Sequence, residues 1–292
     1  MSKILLSNNS LARYAGSELV TYEIAQYLVE CGHSVTVATF IKDGDIRRDF
    51  DALGIQWIDL SAARAPLETR FDLFWGHHAS CFDALLLERN LSAERVIFSS
   101  LSPYEPLECP PLYAGSLTHL LANSPETRDV MAGYGITADS ITVMPNCITR
   151  EWERHALRRL PAAPRKLAIV SNHVPAEVMA AIPHLRDAGL EVVIHGYGHD
   201  ARRVTPELLA DVDVVLTIGR TTQAALSQGI PVYCYDRFGG PGYIGPENFE
   251  RAAHYNFSGR CCNRRLGAAS VAGEILAGFA AAAGQAQELA TR

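Results

Sequence analysis

Short apolar runs alternate with segments of helical period along most of the chain, and this alternation constrains the fold more than any single motif. "KILLS" (3–7) leads through "NNSLARYAG" into a segment with apolar residues at Val20, Ile24, Leu28 and Cys31, the spacing of one helix face. In "GHSVTVATF" (32–40), Gly32 is the helix stop and β-branched residues mark the next strand. The rhythm continues through "GIQWIDL" (54–60), "DLFWGHH" (72–78), the helical "CFDALLLERN" (81–90), "RVIFSS" (95–100), "HLLANS" (119–124), the helical "PETRDVMAGYG" (125–135) and "ITVMPN" (141–146). Strands joined by helices imply βαβ units and an α/β protein with a parallel sheet covered on both faces.

"RRLPAAPRK" (158–166) interrupts that rhythm and reads as a linker. The opening pattern then recurs, "KLAIVSN" (166–172) echoing "KILLSN" (3–8). A second series follows: "PAEVMAAIPHLRDAG" (175–189), "EVVIHGYG" (191–198), "DVVLTIG" (213–219), "TTQAALSQG" (221–229) and "PVYCYD" (231–236). The expectation is two successive α/β domains, 1–160 and 166–260, the second reduced to four clear strands. A helical tail over 261–292 follows, with Ile275, Leu276 and Phe279 supplying an apolar stripe.

The formal net charge is −6 and no Lys/Arg-rich run occurs, which argues against nucleic acid as a partner. "MSKILLSNNS" lacks the apolar core of a signal peptide, and no stretch approaches the roughly 20 apolar residues of a membrane span, so a cytoplasmic protein is expected. Seven cysteines without C-x-x-C spacing point to reduced thiols.

Ligands of open parallel sheets gather at the carboxyl ends of the strands, where helices present unpaired N–H groups. The residues at those ends are polar or glycine-rich here, among them Asn8, Asn9, His77, His78, Asn172, His173, Gly196, Gly219 and Asp236. In "IGRTTQ", Gly219 permits close approach of a phosphate, Thr221 and Thr222 offer hydroxyls and Arg220 adds charge; a plain helix cap with a solvated arginine is the alternative. Gly239 and Gly240 in "RFGGPGYIG" read as a second loop beside a ligand, or else as a surface turn. Neither G-x-G-x-x-G after the first strand nor a P-loop is present. Asp211 and Asp213 form a D-x-D that marks the start of an apolar strand, and no metal site is expected.

"AGSELVTYEIAQYLVECGHSVTV" (15–37), "LLANSPETRDVMAGYGI" with "ITVMPN" (120–146) and "GRTTQAALSQGIPVYCYD" (219–236) together resemble glycosyltransferases of the GT-B fold, in the right order over about 1–245. The resemblance implies two Rossmann-like domains facing across a cleft, a nucleotide-diphosphate sugar held mostly by the second, and a glycan, lipid-linked or small-molecule acceptor on the first. It leaves room for a peripheral membrane contact. It also implies metal-independent transfer with no cofactor beyond the sugar nucleotide, the leaving diphosphate being stabilised by main-chain amides and basic groups. Gly16, Asn172, His173, Gly196, Gly219 to Thr222, Asp236, Gly239 and Gly240 would line the donor site, a large side chain at Gly16 obstructing the cleft. Two glutamates usual in retaining members are replaced by Leu216 and Ala224. A non-catalytic sugar-nucleotide-binding sensor or assembly partner is therefore one alternative, and a sugar-nucleotide epimerase of the same architecture is another.

For proton transfer the candidates are His77, His78 and Glu18. A neutral imidazole can accept a hydroxyl proton near neutral pH, while paired histidines at a strand end also serve as hydrogen-bonded structural groups. Glu18 equally suits the first turn of its helix. Tyr104 and Glu105, on a Pro-bounded loop, would frame the acceptor or simply be exposed. The donor base, the sugar, the acceptor, the stereochemical course and the oligomeric state are not encoded in these motifs.

Overall fold

The computed structural model describes residues 1–62, 70–153 and 157–291. Residues 63–69 and 154–156 of the predicted first domain and Arg292 of the predicted tail lie outside them. The chain divides into two units, Met1–Pro145 and Asn146–Arg292.

In the first unit the elements run β1 (Lys3–Ser7), α1 (Gly16–Glu30), β2 (Ser34–Thr39), α2 (Arg47–Ala52), β3 (Gln56–Asp59), β4 (Arg70–Gly76), α3 (Ala79–Phe82), β5 (Ser92–Ser100), β6 (His119–Ala122), α4 (Pro125–Ala132) and β7 (Ile141–Val143). They build a parallel seven-stranded sheet of order β3-β2-β1-β4-β5-β6-β7. "KILLS" is apolar throughout because β1 is central and buried on both faces. Ile4 and Leu6 pack with Leu19, Tyr22, Val37 and Phe50, whereas Leu5 packs with Phe74, Phe82 and Phe98 on the other side. Strand order reverses between β1 and β4, which places a topological switch point there.

The second unit contains α5 (Arg150–Glu153), β8 (Lys166–Val170), α6 (Ala176–Asp187), β9 (Glu191–His195), β10 (Val214–Thr217), α7 (Arg220–Ser227), β11 (Val232–Asp236), β12 (Gly239–Tyr243), α8 (Phe249–His254) and α9 (Ala268–Ala290). Its sheet has order β12-β11-β10-β8-β9, with a switch point between β8 and β10. It has five strands where four were expected. The fifth is the glycine segment itself, an antiparallel edge strand beside β11, and the edge position tolerates Pro241.

The boundary falls at Pro145 and Asn146, earlier than residue 160, because Trp152 on α5 is buried with Ala168, Val215 and Val232 in the second unit's core. The predicted tail is likewise integral to that unit. On α9, Val271, Ile275 and Phe279 recur at helical spacing and pack with Leu167, Ile169, Leu216 and Tyr233. The Leu216 side chain is thus inside the sheet core, and Ala224 is buried on α7.

Candidate functional site

At the first unit's switch point, the segments leaving β1 and β4 are laced together. The Asn8 side-chain amide donates to Thr21 Oγ1 at 3.0 Å, and Ser80 Oγ donates to Asn9 Oδ1 at 3.1 Å. The Asn9 main-chain N–H donates to His78 Nδ1 at 3.0 Å. His77 Nδ1 lies 3.0 Å from the Ser99 carbonyl oxygen, which can only accept, so this nitrogen carries the proton. Burial holds the His77 imidazole below its ordinary pKa, partly offset by the nearby Glu108. His78 Nε2 faces Glu108 Oε1 at 3.4 Å, and Glu108 Oε2 accepts the Leu101 N–H at 2.8 Å.

His77, His78, Glu108 and Glu18 are 2%, 5%, 4% and 8% exposed, so four titratable side chains are buried around these strand ends. Glu18 occupies the first turn of α1, where Ser17 Oγ donates to its Oε2 at 3.1 Å. Burial pushes its carboxyl pKa up. Its main-chain N–H, the Ser17 hydroxyl and the nearby Arg13 oppose that shift without cancelling it. Gly16 begins the same helix, and a Cβ there would meet open space, not a crowded wall. Tyr104 is exposed, as is Glu105. Their neighbour Glu108 is the buried member of the loop, a residue that sequence reasoning passed over because its partners are remote in the chain.

In the second unit, β8, β9 and β10 bring their carboxyl ends side by side. Thr217 Oγ1 donates to the Val170 carbonyl at 2.9 Å, and the Tyr197 N–H donates to Asn172 Oδ1 at 2.9 Å. His173 is exposed just beyond. Gly219 precedes α7 at φ 61°, ψ −141°, a conformation that side-chain-bearing residues avoid. Arg220, Thr221 and Thr222 form the first turn of that helix, and Thr222 is fully buried with no hydrogen-bond partner for its Oγ1 among the described residues. Buried polar atoms are normally paired, so an orphan hydroxyl at a helix start on a switch point is chemically conspicuous. Asn256 also lies against Gly219 and accepts a 3.0 Å bond from Asn146. Asn256 and Phe257 both have positive φ, at 49° and 55°. "ITVMPN" contained the signal for Asn146, while Asn256 carried none.

Several of the expected donor-site positions have close protein neighbours. Gly239 and Gly240 lie against protein backbone: a Cβ on them would stand 2.1 Å from the Arg264 carbonyl oxygen and 1.9 Å from that of Cys234. Asp236 is committed to its own neighbourhood, accepting the Phe238 N–H at 2.8 Å and the Gly259 N–H at 3.1 Å as well as the Ser258 hydroxyl. A Cβ at Gly196 would fall 2.1 Å from the Ser171 carbonyl oxygen, so that glycine serves strand-end packing. Asn172, His173 and the Gly219 to Thr222 turn follow the adjacent strands β8 and β10.

A cavity of about 450 Å³ lies at the opposite, amino ends of β8 and β9. Within its lining Arg158 pairs with Asp213 at 2.8 Å, and Lys166 with Asp211 at 2.7 Å and Glu191 at 3.3 Å. Among the described residues no group of three or more His, Cys, Asp or Glu is gathered in metal-binding proximity, and no helix is long and apolar enough to cross a membrane.

Residues 14–152 match the family model Glycosyltransferase Family 4. No curated protein sequence matches the chain. Among solved structures it is similar to Anabaena Alr3699/HepE in complex with UDP and glucose, at 13% identity and a TM-score of 0.65, covering 100% of this chain and 95% of that one. It is also similar to the lipopolysaccharide outer core galactosyltransferase WaaB in its apo form, at 12% identity, 99% coverage of both chains and a TM-score of 0.54. UDP-GlcNAc 2-epimerase from Neisseria meningitidis, bound to UDP-GlcNAc, gives 12% identity, 98% coverage of both and a TM-score of 0.53. At these identities the likeness establishes the fold, which is GT-B.

Proposed function

We propose that this chain, a divergent GT-B glycosyltransferase, moves a sugar from a nucleotide-diphosphate donor bound by the second unit to a hydroxyl of a glycan, lipid-linked or small-molecule acceptor bound by the first. One observation carries the donor assignment: the Gly219 turn and the buried, unpartnered Thr222 hydroxyl at the α7 start, at the switch point of a parallel sheet. UDP and glucose in the HepE structure support the same ligand class.

In this reading the acceptor oxygen attacks the anomeric carbon, the bond from that carbon to the diphosphate oxygen breaks, and the diphosphate leaves with the electron pair. The main-chain amides of the α7 start and Arg220 receive the charge that develops on it, without a metal ion. The acceptor proton passes to a base. Of the three candidates, Glu18 fits best. Burial brings its carboxyl towards the working pH, whereas His78 has both ring nitrogens occupied and His77 is sealed against Ser99.

Leu216 and Ala224 favour one rival, a sugar-nucleotide binder that performs no transfer. Purified protein offered a panel of sugar nucleotides is expected to release nucleoside diphosphate in the presence of a lysate glycan fraction, and to do so in excess chelator. Binding without release would select the rival. Thr222→Val sharpens the test by acting in opposite directions on two measurements. Stability is expected to hold or rise by about 1 kcal/mol, because an unpaired buried hydroxyl is removed, while donor affinity falls about tenfold. Unchanged affinity by calorimetry would dissociate this turn from the donor.

A further inference from the structure

Glu108 has no part in the reaction just described, yet it is a buried carboxylate at the end of a single 3-10 turn, Pro106–Glu108, between β5 and β6. Taking such a group out of water costs several kcal/mol unless its lone pairs are used. One hydrogen bond and one longer polar contact converge on it: the Leu101 N–H donates to Oε2 at 2.8 Å, and His78 Nε2 stands 3.4 Å from Oε1.

The far side of the His78 ring fixes the direction of that contact. A main-chain amide only donates, so the 3.0 Å bond from Asn9 makes Nδ1 an acceptor and leaves the ring proton on Nε2, towards Glu108. Asn9 follows β1, His78 follows β4 and Glu108 follows β5, so one imidazole ties together the chain leaving three adjacent strands. It does so on a backbone at φ 69°, ψ 114°, a conformation that is strained for a non-glycine residue and persists only where surrounding contacts enforce it. The other ionisable groups bearing on this cluster are His77, Glu18 and Arg13.

We propose that Glu108 is a positioning residue of the acceptor side. It holds His78 in one tautomer and one orientation, so that the segments after β1 and β4 keep the shape that presents an acceptor hydroxyl to Glu18. The proposal rests on the transferase reading for its catalytic consequence alone. Its chemistry requires a carboxylate: glutamate presents a separate acceptor oxygen to each of the Leu101 N–H and the His78 ring, whereas glutamine has one oxygen and would turn an NH2 towards the other. Glu108→Gln therefore keeps the volume and breaks one arm, while Glu108→Asp keeps both acceptors on a shorter stem.

The test joins histidine ¹⁵N NMR of the full chain, with the His78 signals assigned by their loss in His78→Gln, to steady-state kinetics. The wild type is expected to show an Nε2-protonated His78, and Glu108→Gln a tautomer mixture with shifted ring nitrogens. With Glu108→Gln, kcat is expected to fall about 10- to 50-fold while donor KM stays within twofold, and Glu108→Asp should recover part of that loss. An unchanged ring spectrum in Glu108→Gln overturns the proposal, even if stability and turnover drop, because the residue would then be only structural. If Glu108→Gln does not fold, the same comparison is made with Glu108→Asp, whose shorter reach must shift the His78 ring signals; unshifted signals overturn the proposal equally. Absence of transfer by the wild type would end the transferase reading, while the ring spectra would still decide whether Glu108 holds His78.

Discussion

Among the buried strand-end residues of the first unit, His77 and Glu18 are both driven towards neutrality by loss of water, and the two shifts have opposite consequences for stability in acid. His77 has a folded pKa below its unfolded value near 6.5, so between the two the unfolded chain binds more protons. Its contribution is complete above about pH 6.5 and is lost as the pH falls from there towards the folded pKa. Glu18 has a folded pKa above its unfolded value. It therefore weakens the native state near neutral pH and weakens it less as the pH falls through the folded pKa towards the unfolded one. Comparing the wild type with His77→Gln removes the Glu18 effect, and the glutamine amide can still donate to Ser99. Denaturant titrations at pH 8, 6.5 and 5 should show the wild type losing more stability below pH 6.5 than the variant, by at most about 1.4 kcal/mol per pH unit. Parallel profiles would mean that His77 is not held neutral by burial. The histidines themselves were legible in "DLFWGHH", since polar residues closing an apolar run lie at a strand end. Their partners were not, because Asn9, Ser99 and Glu108 reach them only across the sheet.

Strand and helix periodicity located the parallel elements well, because strands buried on both faces leave continuous apolar runs that sequence reveals directly. It failed where backbone geometry replaces side-chain pattern. β12 is "GGPGY", a composition with almost no strand propensity, and it exists because its glycines let β11 on one side and the Arg264 backbone on the other come within contact. The same close approach recurs on α9, where a Cβ at Gly278 would stand 2.9 Å from the Tyr243 ring of β12. Phe279 is 1% exposed beside it, in the core shared with Leu167, Ile169 and Tyr233. Phe279→Ala is therefore expected to cost about 3–5 kcal/mol, the usual range for a buried aromatic replaced by alanine. An appended tail helix would lose far less. Urea denaturation of the full chain measures the difference, and a loss under 1 kcal/mol would restore the view of 261–292 as an accessory segment.

At the scale of the molecule, the repeated opening "KILLSN" and "KLAIVSN" was sufficient to predict two α/β units, since each begins a central strand followed by the loop at a switch point. The boundary was less legible. Prolines at 161 and 164 mark a break in regular structure, but whether a segment belongs to one core or another depends on where its large apolar residues are buried, and Trp152 is buried in the second. The second unit has hydrophobic clusters of its own on both faces of its sheet. This predicts that a protein comprising 146–292 folds cooperatively by itself and, under the proposed donor assignment, binds a nucleoside diphosphate within a few-fold of the full chain's affinity. A shorter piece, 166–260, is expected to fail. It lacks Trp152 on one face of the sheet, and on the other it lacks Val271, Ile275 and Phe279, so both faces would be exposed to water. Calorimetric unfolding and nucleotide titration of the two pieces check this directly. A cooperative melt from 166–260 would place the stabilising core within the sheet and α6 to α8 alone, and loss of nucleotide binding by a folded 146–292 would require donor contacts from residues before Asn146.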